Sequence, residues 1–386
     1  MHGLTRCGVF TVRALAVAVA LAVTISVVAV WARVAHAQTD ELKLTRAVLE
    51  DRWRVRIQGF LDQGKLPLID MESSLEQAQV DEFVPGVLDT FDELAIAVMV
   101  ADGYQREKDG SQGYRWSNYI LDLVNAHPDA FAPVANGGTN PNWLAEKGGK
   151  AKDFIDQMEA HIRTGTFASM GEFDFLHYMS SSQCKNNRTD RDSSIPLNGE
   201  NGHRLFKLAA ETGVPFSIHL EPEDRALDAL EEMLASYPKA KVIIAHFGQI
   251  RHPEVQTRFT PAYVRHLLST YPNLWYDLAT GEPNRTYKCA GANNSDVLKG
   301  DTVLWKGSPG LQTAELHPDY KDILSTFSDR FVFATDYGGG RKALPAYLRE
   351  KHENFMRIIK DLPIEAQHDI AYRNAWRLLT SRAWGG

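Results

Sequence analysis

The apolar residues of this chain follow two rhythms. Between residues 40 and 65, Leu42, Leu44, Val48, Leu49 and Trp53 return at helical spacing among charged neighbours, which predicts a leading helix. After Pro67 the pattern changes to short apolar runs, each followed by a loop and then a helical or irregular stretch. The runs are Pro67–Glu72, Leu94–Val100, Phe131–Asn136, Phe167–Phe173, Pro215–Leu220, Lys241–Gly248, Leu274–Ala279 and Phe331–Gly338. Lys152–Arg163, Gly202–Thr212, Arg225–Tyr237 and Pro261–Tyr271 lie between them with apolar residues at three- and four-residue steps, as helices require. Alternating strands and helices predict a parallel sheet covered by helices. Eight units in about 270 residues suit an α/β fold of the closed (β/α)8 (TIM) barrel type. An open doubly wound sheet is the alternative, but no Gly-rich phosphate fingerprint follows the first strand.

Three connections are long: Ala101–Trp116, Leu176–Glu200 and Thr280–Tyr320. All leave the C-terminal ends of strands, where barrel enzymes place their chemistry. The last one holds Leu304, Trp305 and Leu311 among Gly and Asn residues, so it is expected to pack as a lid.

Composition changes this picture mainly at the N-terminus. Residues 1–37 contain Arg6, Arg13 and Arg33 and no acid, an apolar run Ala14–Val30, and the ending Ala35-His36-Ala37. That order reads as a secretory signal peptide, cleaved after Ala37. The division expected is therefore 1–37 signal peptide, 38–66 helical extension and 67–386 barrel, with a periplasmic or secreted product. An uncleaved membrane anchor is the alternative; after cleavage no stable membrane span is expected. Loss of three arginines takes the formal charge from −7 to −10, which excludes a nucleic-acid binder needing a basic face. Hydrophobic residues at 44% exclude a disordered chain. A small-molecule substrate is the partner expected, and homo-oligomers remain open. Cys184 and Cys289 are the cysteines left after cleavage, and they are expected to join as a disulfide linking two long loops in an oxidising compartment.

The strand ends carry the candidate chemistry: Asp70-Met-Glu72-Ser-Ser74, Gly171-Glu172-Phe-Asp174, His219-Leu-Glu221, Ala-His246-Phe-Gly and Thr335-Asp336. Side chains alternate along a strand, and alternation places Asp70, Glu72 and Ser74 together. It brings Glu72, Glu172, His219, His246 and Asp336 to one mouth. Imidazoles with carboxylates suit a divalent transition metal, with zinc expected, that would acidify a water while a carboxylate takes its proton. Asp174 and Glu221 share this parity but are expected in solvent. Arg251 and Arg341 follow the sixth and eighth strands and could hold an anionic substrate.

These motifs, in this order, resemble the amidohydrolase superfamily, in particular its amidohydrolase-2 branch of barrel hydrolases and decarboxylases. The resemblance runs from Pro67 to Thr380. It rests on the Ile-Asp opening of strand one, His219, Ala-His246-Phe-Gly, Thr335-Asp336, His127-Pro-Asp-Ala-Phe-Ala-Pro-Val and the closing Ile370-Ala-Tyr-Arg-Asn374-Ala-Trp-Arg-Leu-Leu. Gly171-Glu172 is similar to the strand-four Gly-Glu of the TatD-like nucleases, where Glu is a metal ligand. The resemblance implies that His219 and His246 are metal-site histidines and that Asp336 is a ligand or proton acceptor. One departure stands out: Glu72-Ser73-Ser74 replaces the family's first-strand His-x-His, so one metal rather than two is expected. The function implied is an exported hydrolase that cleaves an ester, lactone or amide bond of a small molecule with a metal-activated water. Asp336 would take the proton, and His246 or His219 would stabilise the developing charge. An aromatic-acid decarboxylase and a non-catalytic, ligand-binding barrel are the alternatives.

Overall fold

The computed structural model describes residues 41–104, 119–136, 151–186, 192–287, 289, 299–300, 302–307, 313–338 and 344–385. The segment read as a signal peptide lies outside the described residues, as do Leu311 and Arg341. Nine short or medium strands form the main parallel sheet: β1 (Leu68–Glu76), β2 (Ile96–Tyr104), β3 (Phe131–Asn136), β4 (Ser169–His177), β5 (Phe216–Leu220), β6 (Val242–Ile244), β7 (Leu274–Asp277), β8 (Phe331–Val332) and β9 (Tyr337–Gly338). β8 pairs with β7 through Phe331 and Tyr276, while β9 pairs with β1 through Tyr337 and Ser73. β8 and β9 are thus the two ends of one interrupted eighth stave, and it closes the ring. Within the gap, the Met71 amide donates to the Phe333 carbonyl at 3.0 Å. The protein is an α/β TIM barrel. Each of the eight apolar runs read from the sequence supplies one stave, because both faces of a parallel strand are covered and neither tolerates a polar run. Ile96 to Ala101 of β2, for example, are all fully buried.

The leading helix, Arg46–Asp62, packs at the end of the barrel away from the candidate chemistry. Thr45 caps it by accepting from the Val48 amide, and Leu49, Trp53, Ile57 and Phe60 form its buried stripe. Trp53 Nε1 donates to the carbonyl of Phe131, the first residue of β3, and Arg56 Nε donates to the carbonyl of Ala97 in β2. The helix therefore covers N-terminal strand ends, the face of a barrel that serves stability.

Asp70 fastens β1 to the eighth stave. It is fully buried and accepts from the Thr335 amide, the Thr335 hydroxyl, the Ser73 hydroxyl and the Glu72 amide. Burial pushes its carboxyl up to about 6, against the pull of these donors. Asp70→Ala leaves the donors without an acceptor and is expected to destabilise the fold by about 3 kcal/mol. Urea denaturation followed by circular dichroism measures this, and a loss under 1 kcal/mol would remove the fastening role.

The long loop after β7 is packed where it is described. Leu304 and Trp305 are buried, and Trp305 Nε1 donates to the Gly281 carbonyl at 2.8 Å. Cys184, in the short helix Ser181–Lys185, is bonded to Cys289 with the Cα atoms 5.3 Å apart across a sequence separation of 105. A link closing so long a loop stabilises by about 4 kcal/mol in the chain-entropy view. Thiol titration of the denatured, unreduced protein lacking residues 1–37 is expected to find no free thiol; two per chain would contradict the bond. Among the described residues, no helix is long and apolar enough to cross a membrane.

Candidate metal centre

Four strand ends and the gap in the eighth stave supply the site. On β4, Gly171 has φ +111°, and a Cβ there would stand 2.4 Å from the Ser217 carbonyl oxygen of β5. Only glycine fits this approach, and it sets Glu172 beside His219. His219 Nδ1 lies 2.9 Å from Glu172 Oε1, and its Nε2 lies 3.4 Å from Glu221 Oε1. His246 lies two residues beyond β6, in the left-handed region at φ +59°. Its amide donates to Asp277 Oδ1 and its Nδ1 donates to the Ala279 carbonyl, each at 2.9 Å. That second bond fixes the tautomer and leaves the Nε2 lone pair free for a cation, 3.6 Å from Glu172. Glu72 of β1 sits 4.0 Å from His246 Nδ1. Asp336 also has a left-handed backbone, φ +50°, and the Tyr347 hydroxyl donates to the carbonyls of both Thr335 and Asp336. Left-handed backbone at non-glycine residues is uncommon and clusters at functional sites.

The structure brings all five residues proposed from the sequence together. Glu172, His219 and His246 form one group, and Glu72, His246 and Asp336 another; within each, the ligand atoms lie within 4.8 Å of one another. His246 belongs to both. The charge balance calls for a cation. Burial, followed by Asp277, Glu172 and Asp336, pushes the Glu72 carboxyl well above its ordinary range. Burial likewise raises Asp277, against the pull of His246. For His219, burial disfavours the charged ring, but the bonds to Glu172 and Glu221 prevail and lift it to about 9. Both carboxylate oxygens of Glu72 are buried with no N–H donor among the described residues, and the group beside them is the buried Asp277 carboxyl. Buried carboxylates crowded together around the two imidazoles, with no donor for Glu72, are what a divalent ion would satisfy, so the residues present fit a metal.

Three expectations need correction. Asp70, Glu72 and Ser74 do not share one face: the β1–β2 register shifts between Asp70 and Ser73, and Asp70 turns to Thr335 instead. Asp174 and Glu221 are buried, not in solvent. Glu221 is held by Arg251 Nη1 at 2.9 Å and by Gln256 Nε2 at 3.2 Å. Arg251 is itself buried; Nη1 also donates to the Tyr178 carbonyl, and its Nε and Nη2 lie against the Gln249 side-chain amide, whose oxygen accepts from both once the amide is assigned by its hydrogen-bond partners. Its guanidinium is therefore engaged inside the protein rather than offered to a substrate. Sequence reasoning also passed over Asp277 and His177. The His177 ring centroid is 4.4 Å from that of His219, which is 4.9 Å from that of His246. Both missed residues end an apolar run at the C-terminal end of a strand, and that position is the signal that could have found them.

A family model described as Amidohydrolase (Amidohydro_2) matches residues 87–380, most of the chain. The chain belongs to the amidohydrolase family. The match begins after β1, so Glu72-Ser73-Ser74 lies outside it. Membership makes this amidohydrolase a metal-dependent enzyme of small-molecule chemistry. Solved structures are also similar to this chain. One is 4-oxalomesaconate hydratase from Rhodopseudomonas palustris (16% identity, 86% of this chain and 91% of that one, TM-score 0.45). Another is 2,6-dihydroxybenzoate decarboxylase complexed with 2,6-dihydroxybenzoate (13% identity, 81% and 98%, TM-score 0.44). A third is dihydroxybenzoic acid decarboxylase from Polaromonas sp. JS666 with bound manganese and 2-nitroresorcinol (12% identity, 82% and 98%, TM-score 0.43). No curated protein matches the sequence.

Proposed function

We propose that this amidohydrolase is an exported hydrolase that cleaves an ester, lactone or amide bond of a small molecule at a single metal centre. The observation that carries the reading is the pair of three-residue groups sharing His246, with the Glu72 carboxyl buried there without an N–H donor among the described residues. Glu172, His219 and His246 would hold the ion, with Glu72 and Asp336 beside them; the nitrogen and oxygen donors suit zinc. A bound ion supplies Lewis acidity to the attacked carbonyl and to the attacking water. The chain's own residues do the rest. Asp336 is half-buried at the mouth and accepts the proton of the attacking water, then returns it to the leaving oxygen or nitrogen. The Ala279 carbonyl keeps the His246 ring in one tautomer, and Tyr347 holds the backbone on which Asp336 turns inward.

A decarboxylase would use the same ion to orient the carboxylate and an adjacent hydroxyl of its substrate, with an arginine as a further anchor. Arg251 is engaged with Glu221 and is not that anchor. The deciding experiment incubates the zinc-loaded protein with a panel of lactones, aryl esters and anilides, and separately with hydroxybenzoates while measuring carbon dioxide. Hydrolysis of any panel member supports the proposal. Carbon dioxide release without hydrolysis overturns it in favour of decarboxylation, and saturable binding without turnover favours a binding protein. Export is supported by the Cys184–Cys289 bond, which persists in oxidising compartments. N-terminal sequencing of the protein from a periplasmic fraction is expected to start at Gln38.

A further inference from the structure

The buried pair of Arg251 and Glu221 has no part in the chemistry above, yet it is an expensive feature. Two charges held away from water are tolerated only with close partners on every side. Here the partners are complete. Glu221 receives Arg251 on Oε1 and Gln256 on Oε2, and Oε1 also faces His219 Nε2 at 3.4 Å. Arg251 is gripped from behind by the Tyr178 carbonyl at 2.6 Å, by the Gln249 amide and by the face of the Tyr287 ring, 5.6 Å from its guanidinium carbon. The Tyr287 hydroxyl in turn donates to the Met179 carbonyl at 2.8 Å, so the segments following β4 and β7 are tied together around the arginine. His219 stands at the inner end of this chain of contacts. An imidazole ring that binds a cation needs its other nitrogen anchored, or it rotates and trades tautomers.

We propose that Arg251 and Glu221 are positioning residues that orient His219 for the metal. Glu221 accepts the Nε2–H of His219, which leaves the Nδ1 lone pair on the side of Glu172. Arg251 acts at one remove: it keeps the Glu221 carboxylate aimed at His219. This assignment rests on the metal reading of the site and accounts for why a buried ion pair sits beside it.

The test uses zinc affinity, measured by competition with a chromophoric chelator on the full mature protein. Removing one partner alone leaves a buried unpaired charge, and such a variant can fail to fold. The informative variant therefore replaces both, Glu221→Met with Arg251→Met, two apolar side chains of similar length. Melting of the metal-free protein checks that it folds. The expected result is a folded variant whose zinc dissociation constant rises about 10- to 100-fold, the usual cost of losing a histidine's anchoring carboxylate. Glu221→Gln with Arg251→Met, which leaves no unpaired charge and whose amide oxygen can still accept the Nε2–H, is expected to weaken zinc less. A folded double variant with wild-type affinity overturns the positioning role and leaves the metal site standing. If the wild-type protein itself takes up no zinc, manganese or iron, the metal reading falls first and this assignment with it.

Discussion

Replacing His246 with alanine is expected to empty the metal centre, lowering bound divalent ion from about one per chain to below about a tenth. The reason is its double membership. Loss of His219 leaves Glu72, His246 and Asp336 as a residual group, and loss of Glu72 leaves Glu172, His219 and His246. Loss of His246 breaks both groups at once and leaves carboxylates facing each other around a single imidazole. His219→Ala is therefore expected to retain a weaker site, and His246→Ala none. Elemental analysis of protein purified without chelator reads the difference. Full metal content in His246→Ala would remove this residue from the site. A backbone argument separates this effect from unfolding. At φ +59° any residue with a Cβ stores roughly 1 kcal/mol of strain that glycine does not. His246→Gly should thus lose the metal as completely while the metal-free protein melts no lower than His246→Ala. A glycine variant less stable than the alanine variant would contradict the strain assignment.

The barrel was legible in the sequence because burial on both faces leaves a strong mark: eight apolar runs separated by turns and helices, each becoming a stave. The leading helix was legible for the same reason, since Leu49, Trp53, Ile57 and Phe60 keep one stripe. Side-chain direction was less legible, and the cause is local. Alternation holds only while the ladder is regular. The register shifts between Asp70 and Ser73 in β1, and again along β4 between Met170 and Phe173 and between Asp174 and Leu176. Each shift resets which residues face inward. That is why Asp70 went to Thr335, and why His177, out of phase with Glu172, arrives beside His219. Alternation says nothing of His246 and Asp336, which lie past the regular ladder on left-handed backbone; their turn inward comes from φ, not from strand phase. Buried charge was also illegible. Glu221 reads as a surface residue until Arg251, thirty positions further on, is found against it. A pair of that kind exists only in three dimensions, and one sequence carries no trace of it.

Asp336→Asn is expected to reduce turnover about 100- to 10,000-fold, the range for removing a general base, while leaving metal content and fold in place. The substitution is well suited to its position. Asparagine tolerates the left-handed region better than other residues, so φ +50° is retained. The backbone there is held by Tyr347, whose hydroxyl bonds to the carbonyls of residues 335 and 336 and does not involve the carboxylate. Glu172, His219 and His246 remain as a full group, so the ion stays. What disappears is the oxygen that can accept a proton, because an amide does not act as a base near neutral pH. The measurement is turnover at saturating substrate, on the ester, lactone or amide identified in the panel, with metal content determined on the same samples. If the variant loses its metal, Asp336 is an essential ligand and the division between holding and proton transfer is wrong. If it keeps both metal and turnover, Asp336 has no part in the reaction. The expected outcome lies between these: a metal-loaded, folded protein whose KM is little changed and whose kcat has collapsed, because the lost interaction acts in the proton-transfer step rather than in binding.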